Sequence, residues 1–431
     1  MTCLPFIKRP ARADSPEPGT TDIRNLGLKI LLVNKFYYRR GGDCVHFLAL
    51  EKLLRNAGHE VAVLTMRSGS NMPLRSDDYE VGEVSMTGTV TSTLKAACRI
   101  LGWGIDKVVR RALNEFRPDV VHLHNIHSYI SPRVAQLARE AGCRVVWTLH
   151  DYKLLCGAYS FLCGGKICTD CIANSPFAMV RRRCMKNSLS ASVLAYAEAK
   201  VWSRRRISSW VDAFICPSEF MREKMIEGRF ESHRLHVLNN FVDTEVFNAG
   251  SEKRDGVCYI GRLSAEKGVD ILAKVAAEAA FPLTIAGTGP LEKDLKSSYG
   301  SCENIRFAGQ LGEHEVAGVL RKCKVSVMPS VCYDNNPLSV GESFCCGTPV
   351  VASRLGGLTE LVSPENGLLF SAGNEESMRR AILQSLKLPW DNASISSEAR
   401  QRFSPEAYCR SILRLYGSQA GCNTATPLNR K

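Results

Sequence analysis

Short apolar runs alternate with longer amphipathic stretches along most of the chain. The first apolar run is KILLVN at 29–34, and an amphipathic stretch from the pair Gly41–Gly42 to about Ala57 follows it. Gly58 then separates this stretch from the next apolar run, EVAVLT. Similar runs recur at 119–123, 144–149 and 212–217. Because alternating strands and helices are typical of a parallel, doubly wound sheet, the pattern predicts an α/β domain.

The same pattern begins again at residue 257. VCYIG is a predicted strand, KGVDILAKVAAEAA a helix, and PLTIAG, NIRFAG and KVSVMPS are further strands. The stretch 239–256 is polar and rich in Gly, Asn and Asp, as linkers are. A chain of 431 residues is also longer than one core usually fills. The sequence therefore predicts two Rossmann-like domains that bind ligands in the cleft between them, although neither carries a G-x-G-x-x-G fingerprint.

The segment boundaries follow from composition. The N-terminus holds four prolines in eighteen residues and lacks the apolar core of a secretion signal, so we expect it to be disordered and the protein to be cytoplasmic. The expected segments are a disordered tail (1–27), an N-terminal domain (28–240) with a cysteine-rich insertion (153–186), a linker (241–256), a C-terminal domain (257–388), a loop followed by a last helix that could cross back (389–417), and a disordered tail (418–431).

The net charge of +13 favours anionic partners such as a membrane surface, nucleic acid or phosphorylated ligands. Eight Lys and Arg residues stand against Glu198 alone in residues 181–206. This basic segment either is a solvated helical face or binds the anionic inner surface of the cell membrane, with Val193, Leu194, Ala197 and Val201 as an apolar stripe. No apolar run approaches the roughly 18–20 residues of a membrane-spanning helix.

The stretch VCYDNNPLSVGESFCCGTPVVAS at 331–353 predicts a strand end followed by a helix start. Asn336 and Pro337 suit a helix cap and a first helical position, which would leave the amides of Leu338 and Ser339 free to hold an anion. Glu342 is suited to accept hydrogen bonds from a sugar diol. The simpler interpretation is an ordinary helix start with a solvated Glu342.

A second loop adds positive charge to this picture. In YIGRLSAEKGVDIL, Arg262 and Lys267 follow a predicted strand of the second domain. Two cations in such a loop can neutralise a diphosphate leaving group. Asp334 stands at a strand end near the same edge, so the residues together suit a nucleotide sugar.

These motifs resemble the donor-binding domain of the retaining glycosyltransferases of family 4, also called group 1. The matching pieces, in the family's order, are GRLSAEKG, IAGTGPLEKDL, IRFAGQL, CYDNNPLSVGESFCCGTPVVAS, LGGLTELV and NGLLF. The first half agrees through the Gly41–Gly42 pair and AGHEVAVLT, PDVVHLHN, TLHD and CPSEFMREKM. The resemblance covers roughly residues 29–385 and implies the two-domain GT-B fold.

The resemblance assigns roles to residues of the second domain. Arg262 and Lys267 are implied to contact the donor diphosphate, and Glu342 the ribose hydroxyls. Asp334 takes the place of the family's usual glutamate beside the donor sugar, although its side chain is one methylene shorter. Pro337 lacks an N–H and so removes one of the amides that hold phosphate.

The resemblance also assigns residues of the first domain. His124 matches the family histidine near the donor sugar, with a structural strand-end histidine as the alternative. His150 is expected in the cleft without an assigned role. Gly41 and Gly42 would let the first loop approach the donor closely, unless they simply begin a helix.

The family's chemistry implies transfer of a hexosyl group with retained anomeric configuration and without a catalytic metal. Asp334 would then position the donor and act electrostatically, because flanking carboxylates of the glycosidase kind belong to a different design. The acceptor would be a glycan or a lipid-linked sugar in polysaccharide synthesis. An epimerase or phosphorylase of the same fold is the alternative. A zinc-dependent nucleic-acid binding protein is a weaker one, since no aromatic and basic recognition pattern is present.

Five of the eighteen cysteines fall within residues 156–184. Cys168 and Cys171 have the spacing of a zinc knuckle, and Cys156 and Cys184 flank them almost symmetrically. The four could bind a structural zinc ion, or they could be reduced thiols in a loop. Insertions of this kind after HDY resemble those of some family 4 enzymes of polysaccharide assembly.

Overall fold

The computed structural model describes residues 27–84 and 96–417, and these form two α/β domains. The predicted terminal tails, apart from Gly27, lie outside the described residues. No helix in the described ranges combines the length and apolar character that crossing a membrane would need.

The N-terminal domain is built on a seven-stranded parallel sheet of order β3-β2-β1-β4-β5-β8-β9, and β6 and β7 form a separate antiparallel hairpin. The strands are β1 (Lys29–Val33), β2 (Glu60–Met66), β3 (Tyr79–Val81), β4 (Val120–Leu123), β5 (Arg144–Thr148), β6 (Leu162–Cys163), β7 (Lys166–Ile167), β8 (Ala213–Cys216) and β9 (Leu235–Val237). The helices with described bounds are Gly42–Asn56, Asp106–Glu115, Arg133–Glu140, Asp170–Ala173, Ala178–Arg181, Leu189–Val201, Arg204–Trp210 and Glu219–Glu227.

The C-terminal domain repeats the plan with a six-stranded parallel sheet of order β12-β11-β10-β13-β14-β15. Its strands are β10 (Val257–Ile260), β11 (Leu283–Ala286), β12 (Ile305–Gly309), β13 (Val325–Met328), β14 (Val350–Ser353) and β15 (Gly367–Phe370). A 3₁₀ turn spans Ala265–Lys267, and the α-helices are Val269–Ala279, Glu292–Tyr299, Glu313–Lys322, Leu338–Cys345, Leu358–Leu361, Glu375–Ser385, Asn392–Arg402 and Pro405–Leu415.

Both sheets are buried on two faces, which explains why their strands are continuous apolar runs. In β1, Leu31 and Val33 belong to the core on one face, while Ile30 and Leu32 belong to the core on the other. All four side chains are fully buried. In both sheets the strand order reverses beside the first strand, between β1 and β4 and between β10 and β13. These reversal points are where such sheets bind ligands.

The segment between the domains, 238–256, contains no helix or strand. Phe241 packs in the core of the N-terminal domain, whereas Val242 and Phe247 pack in the core of the C-terminal domain. The first half of the predicted linker at 241–256 is therefore anchored to the cores of both domains.

The prediction of a loop from 389 to 404 is wrong. Residues Asn392–Arg402 form a helix whose cap is the Asp391 side chain, which accepts a hydrogen bond of 2.9 Å from the Ser394 amide. The serine-rich sequence suggested a loop, but Ile395 and Ala399, four residues apart, pack in the C-terminal core. The spacing of apolar residues therefore indicates this helix better than the composition of the segment does.

The last helix, Pro405–Leu415, packs on the N-terminal domain. Tyr408 and Ile412 are buried beside strands β1, β2 and β4. The Tyr416 hydroxyl lies 2.7 Å from Nδ1 of His122 on β4. This helix holds the C-terminal end of the described chain against the first domain.

Candidate active site

Two loops at the carboxyl edge of the second sheet carry Lys267 and Asp334. Lys267 ends the 3₁₀ turn after β10, and Asp334 lies in the loop after β13. The Lys267 ammonium donates a hydrogen bond to the Asp334 carboxylate, which also accepts one from the Ser330 hydroxyl. Because β10 and β13 are neighbours at the point of reversal, the topology itself brings this pair together.

Lys267 is held in its charged form. Burial lowers the pKa of Lys267, but the Asp334 carboxylate and the nearby Cys332 and Glu266 raise it, and the net shift is upward. Gly268 follows with a φ of +64°, and a Cβ there would lie 2.1 Å from the carbonyl oxygen of Pro329. Only glycine therefore fits the turn that presents Lys267.

Arg262 lies in the same loop with an exposed side chain. Its carbonyl oxygen accepts hydrogen bonds from the Tyr259 hydroxyl at 2.7 Å and from the Ser264 amide at 3.1 Å. The backbone is thus fixed while the guanidinium group reaches solvent at the carboxyl edge of the sheet. This placement suits an anion arriving from the cleft.

The helix after Asp334 begins one residue later than its sequence predicts. Pro337 has extended backbone angles and occupies the N-cap position, so Leu338 is the first helical residue. Asn336 is not the cap, because its side-chain oxygen instead accepts a hydrogen bond of 3.0 Å from the Asn240 amide. The amides of Leu338 and Ser339 lie in the first turn, where the helix supplies no acceptor for them.

Glu342 lies in the second turn of this helix and is half-buried. Burial, together with the nearby Glu313, raises the pKa of Glu342 to about 7, while Arg39 opposes the shift. Arg39 and Glu313 form an ion pair of 2.7 Å between the two domains. Glu342 is therefore a carboxyl group whose charge depends on pH near neutrality and on what binds beside it.

The glycine pair of the first domain faces this helix. Gly41 is the N-cap of helix Gly42–Asn56, and its φ of −164° is an extended conformation open to any residue. A Cβ built on Gly42 would lie 3.9 Å from Cδ1 of Leu338. The loop after β1 thus approaches the start of helix Leu338–Cys345. The predicted approach of the glycine pair to a donor stays a prediction.

His124 does not line an open cleft in this structure, because it is fully buried. Its Nδ1 lies 2.9 Å from Nε2 of His150, which is partly exposed. The indole of Trp147 donates a 2.9 Å hydrogen bond to the His124 carbonyl oxygen. Of the two predicted histidines, His150 is therefore the one with exposed surface, and its ring is hydrogen-bonded to His124.

His46 completes a cluster with this pair. The nearest ring nitrogens of His46, His124 and His150 lie within 4.8 Å of one another, close enough for the three rings to hold one metal ion. Burial lowers the pKa of His150 to about 4 and places those of His46 and His124 well below their usual range. The cluster is consequently neutral at physiological pH.

Sequence reasoning missed the charged residues around the glycine pair. Burial raises the pKa of Asp43, but His150, Lys35 and a 2.6 Å hydrogen bond from Asn125 lower it, and the net shift is downward. Lys35 lies just after β1, and Asp43 lies in the first turn of helix Gly42–Asn56. The sequence feature that could have identified these two residues is their closeness to a glycine pair that follows a strand.

Side chains from both domains meet at the loop that carries Asp334. The Asn335 amide group donates a 3.0 Å hydrogen bond to the Leu149 carbonyl oxygen, one residue before His150. The Ser218 hydroxyl donates to the Asn335 side-chain oxygen at 2.5 Å. The Tyr333 ring contacts Phe220, with ring centroids 4.7 Å apart. The domains are therefore in direct contact beside the candidate site.

The four cysteines of the predicted zinc site do not form a metal-binding group in the described part of the structure. They are Cys156, Cys168, Cys171 and Cys184. In the part of the chain that the structure describes, no three sulfurs among Cys156, Cys163, Cys168, Cys171 and Cys184 lie within 4.8 Å of one another. The close pair is instead Cys163 and Cys184, whose sulfurs are 3.7 Å apart. Cys163 was absent from the predicted set, although the four residues between it and Cys168 are within the spacing that zinc ligands show.

The basic segment 181–206 is divided between two roles. Arg181, Arg182 and Arg183 are exposed, whereas Arg204 is partly buried. Arg204 donates hydrogen bonds to four carbonyl oxygens, those of Leu154, Leu155, Cys171 and Gly228 at 2.9–3.4 Å. The expectation that all these arginines form one solvated or lipid-facing surface is therefore wrong for Arg204.

Known proteins resemble the chain across both domains. Residues 40–246 match the family model described as Glycosyltransferase Family 4, and residues 254–387 match the model described as Glycosyl transferases group 1. A 42.6 kDa protein of the cps region of Klebsiella pneumoniae is 27% identical over 362 residues, which cover 78% of this chain and 87% of that protein. A phosphatidyl-myo-inositol mannosyltransferase of Propionibacterium freudenreichii is 25% identical, covering 82% and 85%.

Solved structures share the arrangement of domains. HepE of Anabaena, crystallised with UDP and glucose, superposes with a TM-score of 0.62 at 16% identity and covers 91% of this chain and all of that one. Sucrose-phosphate synthase of Thermosynechococcus elongatus gives a TM-score of 0.65 at 19% identity over 90% of this chain and 98% of that one. These likenesses confirm the predicted GT-B fold, and the matches to the two family models show that the chain belongs to the group 1 glycosyltransferases of family 4.

Proposed function

We propose that the protein transfers a hexosyl group from a nucleotide sugar to a glycan or lipid-linked acceptor with retention of anomeric configuration. The observation that carries the proposal is the meeting of Lys267, Asp334 and the start of helix Leu338–Cys345 opposite the glycine loop of the first domain. Positive charge, free helix amides and carboxylates at one edge suit a sugar joined to a diphosphate.

Arg262, Lys267 and the amides of Leu338 and Ser339 would bind the diphosphate. As the bond between the anomeric carbon and the diphosphate oxygen breaks, the electron pair leaves with that oxygen. Preorganised cations and amide groups stabilise this growing negative charge more than they stabilise the intact donor, which is what accelerates transfer.

Glu342 would accept hydrogen bonds from the ribose hydroxyls of the donor. Asp334 would lie beside the sugar and act by position and charge. The acceptor hydroxyl oxygen attacks the anomeric carbon from the face that the diphosphate leaves, and its proton passes to the departing oxygen. The proposed reaction needs neither a covalent enzyme intermediate nor a metal ion.

His150 would meet a hydroxyl of the transferred sugar. It is the partly exposed member of the histidine cluster, and His124 holds its Nε2 at 2.9 Å. A neutral imidazole that hydrogen-bonds to a second imidazole has its tautomer and orientation fixed. His124, which the sequence placed at the sugar, would act through His150.

The relatives support a role in the assembly of polysaccharides or glycolipids. HepE was crystallised with UDP and glucose, one relative is a mannosyltransferase, and another lies in a cps region. We propose a nucleotide-sugar donor on this basis.

We also propose that the acceptor is reached at the cytoplasmic face of an anionic membrane. Four large apolar side chains, Tyr159, Phe177, Leu189 and Val193, are each about half exposed within 35 residues of sequence. The exposed Arg181–Arg183 run lies in the same stretch. Exposed apolar groups beside arginines suit the surface of a bilayer with anionic lipids.

A transfer assay tests the proposal. The purified protein is incubated with UDP-, GDP- and ADP-sugars and a bacterial glycolipid extract, and the released nucleoside diphosphate is measured. Proton NMR of the product should show the donor's anomeric configuration. An inverted product, or no release of diphosphate beyond that of a Lys267→Ala control with any donor, would contradict the proposed activity.

A further inference from the structure

The cysteine insertion, residues 153–186, folds as short elements around its thiols. A tight hairpin of β6 and β7 turns at Gly164 and Gly165, which have φ values of +58° and +75°. Cys168 follows the hairpin directly, and Cys171 lies in the four-residue helix Asp170–Ala173. Cys184 follows a second four-residue helix, Ala178–Arg181.

Apolar packing gives the part of this unit after Phe161 little support, although Leu155, Cys156, Ala158 and Phe161 are buried in the core of the N-terminal domain. Its local core consists of four buried side chains, those of Cys171, Ala178, Met179 and Ala195. Helices of one turn and a hairpin of two-residue strands bury too little apolar area to offset the entropy of ordering them. Natural units of this size are usually held by disulfides or a metal ion.

Five thiols converge on this region. The sulfurs of Cys163 and Cys184 are 3.7 Å apart. Two sulfurs bound at about 2.3 Å to one tetrahedral zinc ion lie roughly 3.8 Å from each other. The Arg204 guanidinium group donates hydrogen bonds to the Leu155 carbonyl oxygen at 3.2 Å and to the Cys171 carbonyl oxygen at 2.9 Å, which places the backbone next to Cys156 beside Cys171. The Cys184 amide donates a 3.0 Å hydrogen bond to the Met179 carbonyl oxygen, and Cys184 packs against the small core that contains Cys171 and Met179.

The surrounding charges suit a site made of thiolates. A zinc ion with four thiolates carries a net charge of −2, and the cationic residues Arg181, Arg182 and Arg183 immediately precede Cys184 in the chain. The nearest carboxylate on this unit, that of Asp170, pairs with Arg182 at 2.5 Å. Arg204 donates a 2.9 Å hydrogen bond to the Cys171 carbonyl oxygen.

We propose that the cysteine insertion binds one structural zinc ion through Cys168, Cys171 and Cys184, with Cys156 or Cys163 as the fourth ligand. The ion would draw together sulfurs that are near neighbours as free thiols, since the free energy of binding is also free energy of folding for such units. It would fix the insertion against the cleft, because Phe161, at its root, packs on Tyr333 with ring centroids 6.0 Å apart. Tyr333 adjoins Asp334.

Zinc content is the direct test. Full-length protein, expressed without added zinc and purified without chelators or a histidine tag, should contain about one equivalent by elemental analysis. Cys171→Ser and Cys184→Ser should lose most of it. Cys302→Ser, which removes a half-buried cysteine of the other domain, should retain it. Whichever of Cys156→Ser and Cys163→Ser loses zinc identifies the fourth ligand.

Alkylation of the wild-type protein provides a test that does not depend on the folding of variants. The four ligand cysteines should resist a thiol reagent until a chelator is added. Cobalt added in place of the zinc should produce the visible absorption of a tetrahedral thiolate site, which zinc itself lacks. Wild-type protein without zinc, with the insertion's thiols freely alkylated, would overturn the proposal. So would a mass lower by two hydrogens from a bond between Cys163 and Cys184.

Discussion

The Lys267 ammonium group hydrogen-bonds to the Asp334 carboxylate, although the two residues are 67 positions apart in the chain. The pair joins the basic loop after β10 to the loop that opens the donor-side helix. In the free protein the Lys267 ammonium group and the Asp334 carboxylate are hydrogen-bonded to each other. In the proposed function, a diphosphate that binds Lys267 would share it with Asp334, so the pair would couple nucleotide binding to the position of the Asp334 carboxylate.

The first prediction separates binding from turnover at Asp334. Asp334→Asn removes a negative charge next to the diphosphate site, so the nucleoside diphosphate should bind as tightly as before or more tightly. Transfer should fall by roughly tenfold or more, since the sugar loses a charged partner. Calorimetry and the transfer assay measure the two quantities. Loss of diphosphate affinity with unchanged turnover would refute this role.

The second prediction concerns pH and Glu342. Burial raises its pKa to about 7 in the free protein, and ribose hydroxyls prefer the ionised form as their acceptor. Diphosphate affinity should therefore rise as pH increases from about 5 to 7 and then level off. Glu342→Gln should bind more weakly and lose that part of the pH dependence. Identical pH profiles for the two proteins would argue against the ribose contact.

Glu342 also makes the free energy of unfolding depend on pH. Because its folded pKa lies above the ordinary value of 4.5, its contribution is fully present below pH 4.5 and is lost as pH rises through about 7. Glu342→Gln removes this dependence, so the variant should gain stability relative to wild type as pH increases across that window. Denaturant unfolding at pH 5 and pH 8 checks the sign.

The third prediction contrasts two adjacent arginines. Arg204→Ala leaves four carbonyl oxygens without a donor and should lower the free energy of unfolding by roughly 3 kcal/mol. Arg205→Ala changes an exposed side chain and should alter it by less than about 0.5 kcal/mol. Denaturant titration of the two variants measures both effects. Equal stabilities would show that the Arg204 contacts are unimportant.

The fourth prediction concerns the membrane. Replacing Arg181, Arg182 and Arg183 with Ser should greatly reduce sedimentation with vesicles of anionic lipid, since each arginine contributes about 1 kcal/mol near such a surface. The matched control replaces Arg379, Arg380 and Lys387 with Ser, which removes the same charge from exposed positions of the other domain. If both triple variants lose binding equally, net charge and not this surface is responsible.

Much of the architecture could be predicted because parallel strands buried on both faces are long apolar runs. The positions of Arg262, Lys267 and Asp334 at one edge followed from their places after strands. The helix Asn392–Arg402 was missed because its serines hide two buried apolar positions. The burial of His124 was not predictable, since residues after a strand can turn toward the cleft or the core. The four carbonyl partners of Arg204 depend on tertiary contacts that spacing does not encode.

The central claim is that the second domain binds the diphosphate of a nucleotide sugar through Lys267. Calorimetric titration of the wild type and Lys267→Ala with UDP, GDP and ADP tests it most directly, with Lys274→Ala, an exposed lysine paired with Glu375, as the matched control. At least one diphosphate should bind the wild type and the control equally and should bind Lys267→Ala about tenfold or more weakly. Absence of binding by all three diphosphates, or equal binding to all three proteins, would contradict it.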